Sequence, residues 1–349
     1  MIGVILANTG SPSSPEPDDV ELYLRDFLMD DRIRQLPKLL WKQLMFRRVL
    51  PKRKFSSAQR YRFIWTDEGS PLVVNLRRLA EKVQALFDAD ELANDVAVLS
   101  AMSYGTPSIE AVLDELREQG ADRIVLMPLY PQSAFSPTMA VVDSFQRAQD
   151  AIDWHPDSTI IYDYHDDQGY INAIVRSVSE AGFDAAAGDR LVLSFHAIPL
   201  KDEAAGDTYR AQIAESTRLI ARGLGIEAES ITVSFQSVFG RDESKWTAPL
   251  TRDVLKGWRN ESFRVVFACP GFSIDCLETL NDIPHEMVPA LEGEGAKPVV
   301  DHVGGDIQAA CNTSGRFVWV PTLNASDEHA ALLKSILDKS IGSQPKRNG

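Results

Sequence analysis

The sequence predicts an α/β protein of two doubly wound domains, each built on a parallel sheet, facing one another across a cleft. Three observations lead there. Short β-branched and apolar runs alternate with helical patterns along the chain, the signature of βαβ units. The length, 349 residues, accommodates two domains of ordinary size. The two halves also repeat one another. Val4-Ile5-Leu6-Ala7-Asn8-Thr9-Gly10-Ser11-Pro12 parallels Leu191-Val192-Leu193-Ser194-Phe195-His196-Ala197-Ile198-Pro199. The strand ends Val98–Gly105 and Ile124–Pro131 parallel Val233–Gly240 and Val265–Pro270, in the same order.

Taken along the chain, strands are expected at Ile2–Asn8, Val96–Ser100, Arg123–Met127, Ser158–Tyr162, Leu191–Phe195, Ile231–Phe235, Phe263–Ala268 and Phe317–Val320. Helices are expected at Ser108–Gln119, Ala211–Leu224 and Ser326–Ile341. The first has capping-box character, with Ser108 just after a proline and an acid in its first turn. The domains are placed at 1–164 and 165–324, with a terminal helix in 325–349 packing back on the first.

Hydrophobic content of 44% and charged content of 25% are those of a globular chain, and no apolar run reaches the roughly 18 residues of a membrane span. The N-terminus lacks a basic n-region and reads as a first strand, so no signal peptide is expected. Cys269, Cys276 and Cys311 are too few for a disulfide framework, which points to a cytoplasmic protein. A net charge of −14 argues against general nucleic-acid binding. Against that background, Arg32 to Lys54 carries nine basic residues and no acid, interleaved with Leu36, Leu39, Leu40, Trp41, Leu44, Met45 and Phe46. The stretch 32–55 suits an anionic membrane surface or an anionic amphiphile. It equally suits an amphipathic helix packed on its own domain.

The usual phosphate loops are missing. No G-x-G-x-x-G follows a strand and no G-x-x-x-x-G-K-[ST] occurs. H-E-x-x-H, a C-x-x-C pair and G-x-S-x-G are absent too. The ligand is therefore expected between the domains. His196 ends an apolar strand, and Pro199 keeps a helix from starting at once, so a loop presents the imidazole. Glu278 lies in a helix opening after Pro270-Gly271-Phe272-Ser273, with Ser273 or Asp275 as cap. Asp282 and Glu286 follow at i+4 and i+8, which puts three carboxylates near one face. A solvated acidic face is one explanation; a path for protons or a hard divalent cation is another. Pro284 should kink, bulge or end that helix and pull Glu286 out of line. Three scattered cysteines do not make an Fe–S or zinc site. His165, followed by Asp166 and Asp167, could bind metal but reads better as a surface turn between the domains.

These segments resemble the motifs of the ferrochelatase family, in order and over almost the whole chain. The resemblance rests on Asn8-Thr9-Gly10-Ser11-Pro12, Ile64-Trp65 with Gly69-Ser70-Pro71-Leu72, and Tyr104-Gly105-Thr106-Pro107-Ser108. It continues through Pro128-Leu129-Tyr130-Pro131-Gln132, Ser194-Phe195-His196, Phe235-Gln236-Ser237, and Cys269-Pro270-Gly271-Phe272-Ser273 leading to Leu277-Glu278-Thr279-Leu280. It implies two Rossmann-like, chelatase-type domains around a central porphyrin cleft, in the style of bacterial members without a cluster. It implies insertion of Fe²⁺, as substrate, into protoporphyrin IX to form protohaem with release of two protons. His196 and Glu278 would be the catalytic pair and transient metal ligands, Asp282 and Glu286 the proton or metal path. Asn8, Thr9, Tyr104, Tyr130, Ser237 and Trp246 would bind porphyrin. No tightly bound cofactor is implied.

The chain departs from the family pattern at Ser103, where Arg is usual, at Ser133, where Tyr is usual, and at Val238, where Arg or Lys is usual. Thr9 replaces a larger side chain, and the stretch Gly240–Trp246 is expanded. Arg32, Arg34 or Lys38 would then meet the propionates. Two alternatives stay open on these departures: a non-catalytic porphyrin- or haem-binding paralogue, and a chelatase acting on coproporphyrin III or with another metal. The sequence leaves the oligomeric state undetermined.

Overall fold

The computed structural model describes residues 1–34, 36–90, 95–240, 242–296, 312 and 315–342. Arg241, His302, Cys311 and the tail from 343 lie outside them.

All eight expected strands form: β1 (Ile2–Gly10), β2 (Val96–Tyr104), β3 (Arg123–Pro128), β4 (Asp157–Ile160), β5 (Arg190–His196), β6 (Thr232–Gln236), β7 (Val265–Ala268) and β8 (Phe317–Trp319). They make two four-stranded sheets of identical order, β2-β1-β3-β4 and β6-β5-β7-β8. Every pairing is parallel. The central strands β1 and β5 are buried on both faces, which is why they read as continuous apolar runs rather than alternating ones.

The ladders test the internal repeat. Val4 pairs with Val125, and its counterpart Leu191 pairs with Val266, as the sequence alignment requires. The alignment of β2 with β6 is corrected. Ile5 pairs with Leu99 and its counterpart Val192 pairs with Thr232, so Leu99 matches Thr232, not Ser234. The slip is two residues. An even slip leaves each side chain on its original face, so the apolar pattern cannot detect it.

Between β1 and β2 the first half inserts helices Pro17–Met29, Lys38–Leu44 and Leu50–Ile64, with a π turn at Met45–Val49 joining the last two. They bury a core of their own, including Val20, Leu28, Trp41, Met45, Leu50 and Ile64. Phe239, Leu277 and Leu280 of the second half pack against it. A larger apolar cluster joins both sheets, running from Val4 and Leu6 to Leu193 and Phe195. Each large side chain so buried contributes roughly 1.5–3 kcal/mol. The insertion is thus held from both sides, and it roofs the space between the sheets.

The terminal helix Asp327–Gly342 lies on the helix Pro71–Asp88. Lys82 bonds Asp327 at 2.6 Å and Lys334 bonds Asp90 at 2.9 Å. Arg123 at the start of β3 donates to the carbonyls of Ser340 and Ile341, each at 3.1 Å.

Candidate active site

The carboxyl ends of β1, β3, β5 and β6 open onto one cleft of about 450 Å³, the edge where open parallel sheets bind ligands. Gly10 marks how tightly the strand ends converge. Its φ is +119°, and a Cβ there would lie 1.7 Å from the carbonyl oxygen of Tyr104. Only glycine allows β1 and β2 to close at this point.

All ten residues singled out from the sequence line this cleft: Asn8, Thr9, Tyr104 and Tyr130 from the first half, and His196, Ser237, Trp246, Glu278, Asp282 and Glu286 from the second. Their local arrangements differ. Tyr130 donates to Asn8 Oδ1 at 3.1 Å, Thr9 Oγ1 lies 2.5 Å from the Tyr130 hydroxyl, and the Thr9 amide donates to Asn8 Oδ1 at 2.7 Å. One proton arrangement satisfies all three, with Thr9 donating to Tyr130 and Tyr130 to Asn8. The Tyr104 ring meets Phe27 edge-on at 5.5 Å. Trp246 is fixed by an antiparallel bridge to Pro199.

His196 is the last residue of β5. Its Nδ1 lies 2.7 Å from the carbonyl oxygen of Ala197. A carbonyl only accepts, so this contact puts a proton on Nδ1, and in the neutral imidazole the lone pair for a proton or a metal is then on Nε2. The Phe272 ring stands 6.4 Å away, tilted against the imidazole.

The helix carrying Glu278 begins differently from expectation. Neither Ser273 nor Asp275 is its cap; Cys276 is, with Thr279 closing a reciprocal box. Ser273 donates instead to the carbonyl of Leu129 at 2.8 Å, and Asp275 accepts the Thr279 hydroxyl at 2.8 Å. Regular helix lasts only from Leu277 to Leu280, and a π turn covers Ile283–Met287. The bulge expected at Pro284 is therefore present, but its effect on Glu286 is the reverse of that expected. A π turn advances less per residue than an α-helix, and with it in place Glu278, Asp282 and Glu286 all line the cleft.

Asp282 is almost fully buried and forms an ion pair with Arg60. Asn281 donates to it at 2.9 Å and Ser237 at 3.2 Å. Ser237 adopts φ +64° to do so, so its hydroxyl serves the acidic line. Burial raises the Asp282 pKa, with the Arg60 charge opposing. Burial and then the Asp282 charge raise Glu286, against Arg60 and Arg252. Burial also lifts the phenols of Tyr23, Tyr61 and Tyr130, which stay neutral donors at pH 7.

The cations differ from those expected. Arg32 lines the cleft but is held bidentately by Asp143 at 2.7 and 3.0 Å. Arg34 pairs with Asp31, and neither Arg34 nor Lys38 lines the cleft. Arg53 and Arg60 line it instead, together with Ser57, Tyr61 and Ile64. These five fall at i, i+4, i+7, i+8 and i+11 of one helix. That periodicity was visible in the sequence, but the sheet that the face meets was not.

A doubled four-stranded parallel sheet with a deep, acid- and tyrosine-lined cleft between its halves defines the class: the fold is that of the chelatases. SirB from Bacillus subtilis with Fe³⁺ superposes with a TM-score of 0.53 at 11% identity, covering 78% of this chain and 94% of that one. The cobalt complex of the sirohydrochlorin chelatase SirB of B. subtilis subspecies spizizenii gives 0.51 at 10% identity, covering 98% and 96%. The sequence goes further. The ferrochelatase family model matches residues 1–341. The ferrochelatase of Azoarcus sp. is 39% identical over 296 residues, 84% of this chain and 80% of that one. The ferrochelatase of Thioalkalivibrio sulfidiphilus is 35% identical over 349 residues, 100% and 89%. The chain belongs to the ferrochelatase family. It is an enzyme of haem biosynthesis that inserts a metal into a porphyrin, a lyase-type reaction.

Proposed function

We propose that the metal is Fe²⁺ and the porphyrin protoporphyrin IX, and that His196 and Glu278 perform the exchange. The observation that carries this is the Nδ1–H of His196 bound to the Ala197 carbonyl, which presents Nε2 as a base in a cleft also lined by Glu278. Metallation breaks two pyrrole N–H bonds and forms bonds from the ring nitrogens to the metal. Two protons leave as Fe²⁺ enters, so a neutral imidazole and a carboxylate suit the centre of the macrocycle. The protons pass on toward Asp282 and Glu286. The aromatic and hydroxyl walls at Asn8, Thr9, Tyr104, Tyr130 and Trp246 hold the macrocycle, with Ser237 beneath. Arg53 has no hydrogen-bonded acidic partner among the described residues, lying instead over the Phe239 ring at 4.8 Å. It is the cation we assign to a substrate carboxylate.

No tightly bound cofactor takes part in this reading. Cys269 is buried, donating to Gln236 Oε1 at 3.6 Å, and Cys276 caps a helix. The enzyme acts in the cytoplasm, docked on the membrane through 32–55. Trp41 and Met45 of that stretch are buried in its own core, whereas Leu39 is 70% and Leu40 58% exposed beside Lys38 and Lys42. No helix among the described residues is long and apolar enough to cross a membrane.

The test is an anaerobic assay of Fe²⁺ insertion into protoporphyrin IX, with coproporphyrin III and Co²⁺ in parallel. Many turnovers with Fe²⁺ and protoporphyrin, lost in His196→Ala, are expected. Stoichiometric binding without metallation would identify a carrier, and preference for coproporphyrin or another metal would reassign the substrate.

A further inference from the structure

We infer that Asn324 and Asp275 form a positioning pair that sets the helix carrying Glu278. The inference rests on the role given to Glu278 above. Asn324 lies just after β8, before the terminal helix, in the left-handed region at φ +46°, which asparagine tolerates better than most residues. Five hydrogen bonds hold it there. Its amide donates to the Ser273 carbonyl at 2.9 Å, and its carbonyl lies 2.6 Å from Nδ1 of the fully buried His329. Its side-chain oxygen accepts from the Asp275 amide at 2.9 Å and from Asn75 at 3.2 Å, while its side-chain nitrogen donates to Asp275 Oδ2 at 2.7 Å.

The Asn324 side chain therefore grips Asp275 at both backbone and carboxylate. The second oxygen of that carboxylate accepts the hydroxyl of Thr279 at 2.8 Å, and Thr279 Oγ1 in turn accepts the Cys276 amide at 3.0 Å. Glu278 sits between these fixed points. From the opposite side, Gln236 at the end of β6 donates to the Glu278 carbonyl at 2.9 Å. A four-residue helix has almost no stability of its own, so its direction comes from these anchors. Neither Asn324 nor Asp275 lines the cleft; both act through Glu278. Asn324 also ties this loop to the terminal helix through His329 and to the first half through Asn75.

The test is an exchange of the pair. Asn324→Asp places two carboxylates against each other, and a displacement of about 1 Å at Glu278 lowers kcat roughly 10–100-fold, with the porphyrin KM little changed. In the double variant Asn324→Asp with Asp275→Asn, the exchanged contacts are restored: the new side-chain amide on the Glu278 side donates to the new carboxylate facing it and still accepts from Thr279. Its kcat is expected to return to within about threefold of the parent, at a Tm close to the parent's. A single variant with unaltered kcat, or a folded double variant that recovers nothing, overturns the inference. Glu278→Gln, run in the same assay, separates the two readings. If that variant keeps full turnover, the role of Glu278 itself is wrong; if it is inactive while Asn324→Asp is not, only the positioning pair falls.

Discussion

Arg60, on the helix inserted between β1 and β2, forms an ion pair across the cleft with Asp282 of the second half. Asp282 is only 3% exposed, while about a third of the Arg60 side chain faces solvent. Among the described residues, removing the cation leaves a buried carboxylate with hydrogen bonds from Asn281 and Ser237 alone. Breaking a buried pair costs 3–5 kcal/mol, and partial exposure here brings that to roughly 2–3 kcal/mol. Arg60→Leu should lower unfolding stability by that amount, and adding Asp282→Asn should restore most of it. Denaturant unfolding of the four proteins of this cycle measures the coupling; simple additivity would refute it.

His196→Ala should abolish most turnover. General-base steps contribute about 10²–10⁴-fold, and a fall of that order in kcat is expected, with porphyrin still quenching tryptophan fluorescence at near-parental affinity. Turnover within threefold of the parent would place the base elsewhere.

Tyr130→Phe removes the hydroxyl that connects Thr9 to Asn8. The Thr9 amide still satisfies Asn8 Oδ1, so the stability loss should be about 1 kcal/mol, one ordinary hydrogen bond. A loss above about 3 kcal/mol in thermal or urea unfolding would mean that the trio is not satisfied as described.

His329 gives a pH signature. Burial lowers its pKa from 6.5 to about 4. Between those values the unfolded chain binds the proton and the folded one does not, so stability falls as pH drops from about 6.5 to 4 and then levels off. The full difference is about 3 kcal/mol. His329→Gln should lack this component. Unfolding curves of parent and variant that stay parallel from pH 7 to 4 would exclude it.

Gly10→Ala should be severely destabilising, since the added carbon meets backbone at Tyr104 and not a movable side chain. A loss of at least about 3 kcal/mol, or failure to accumulate folded protein, is expected. Gly257→Ala, where a Cβ meets nothing within 4 Å, is the control.

What the sequence determined by itself was whatever depends on neighbours along the chain. Val4, Leu6, Leu193 and Phe267 sit in runs whose composition demands burial in parallel strands, so all eight strands and the doubled sheet were legible. His196 closes such a run, and the strand's carboxyl end fixes where its side chain goes, whereas Glu278 comes ten residues after β7 and takes its place from contacts with Gln236 and the loop at Asn324. The tertiary structure decided what depends on one segment meeting another. The slip between β2 and β6 was invisible because pleating repeats every two residues. Arg53, Arg60 and Tyr61 were missed because the helix that bears them belongs to the cleft only once the insertion folds over it. Arg34 and Lys38 do not reach the cleft, Arg34 pairing with Asp31, while Arg32 lines it but is held by Asp143. Charge attracts whatever the fold brings within a few ångströms, and that proximity is set by packing, not by position in the chain.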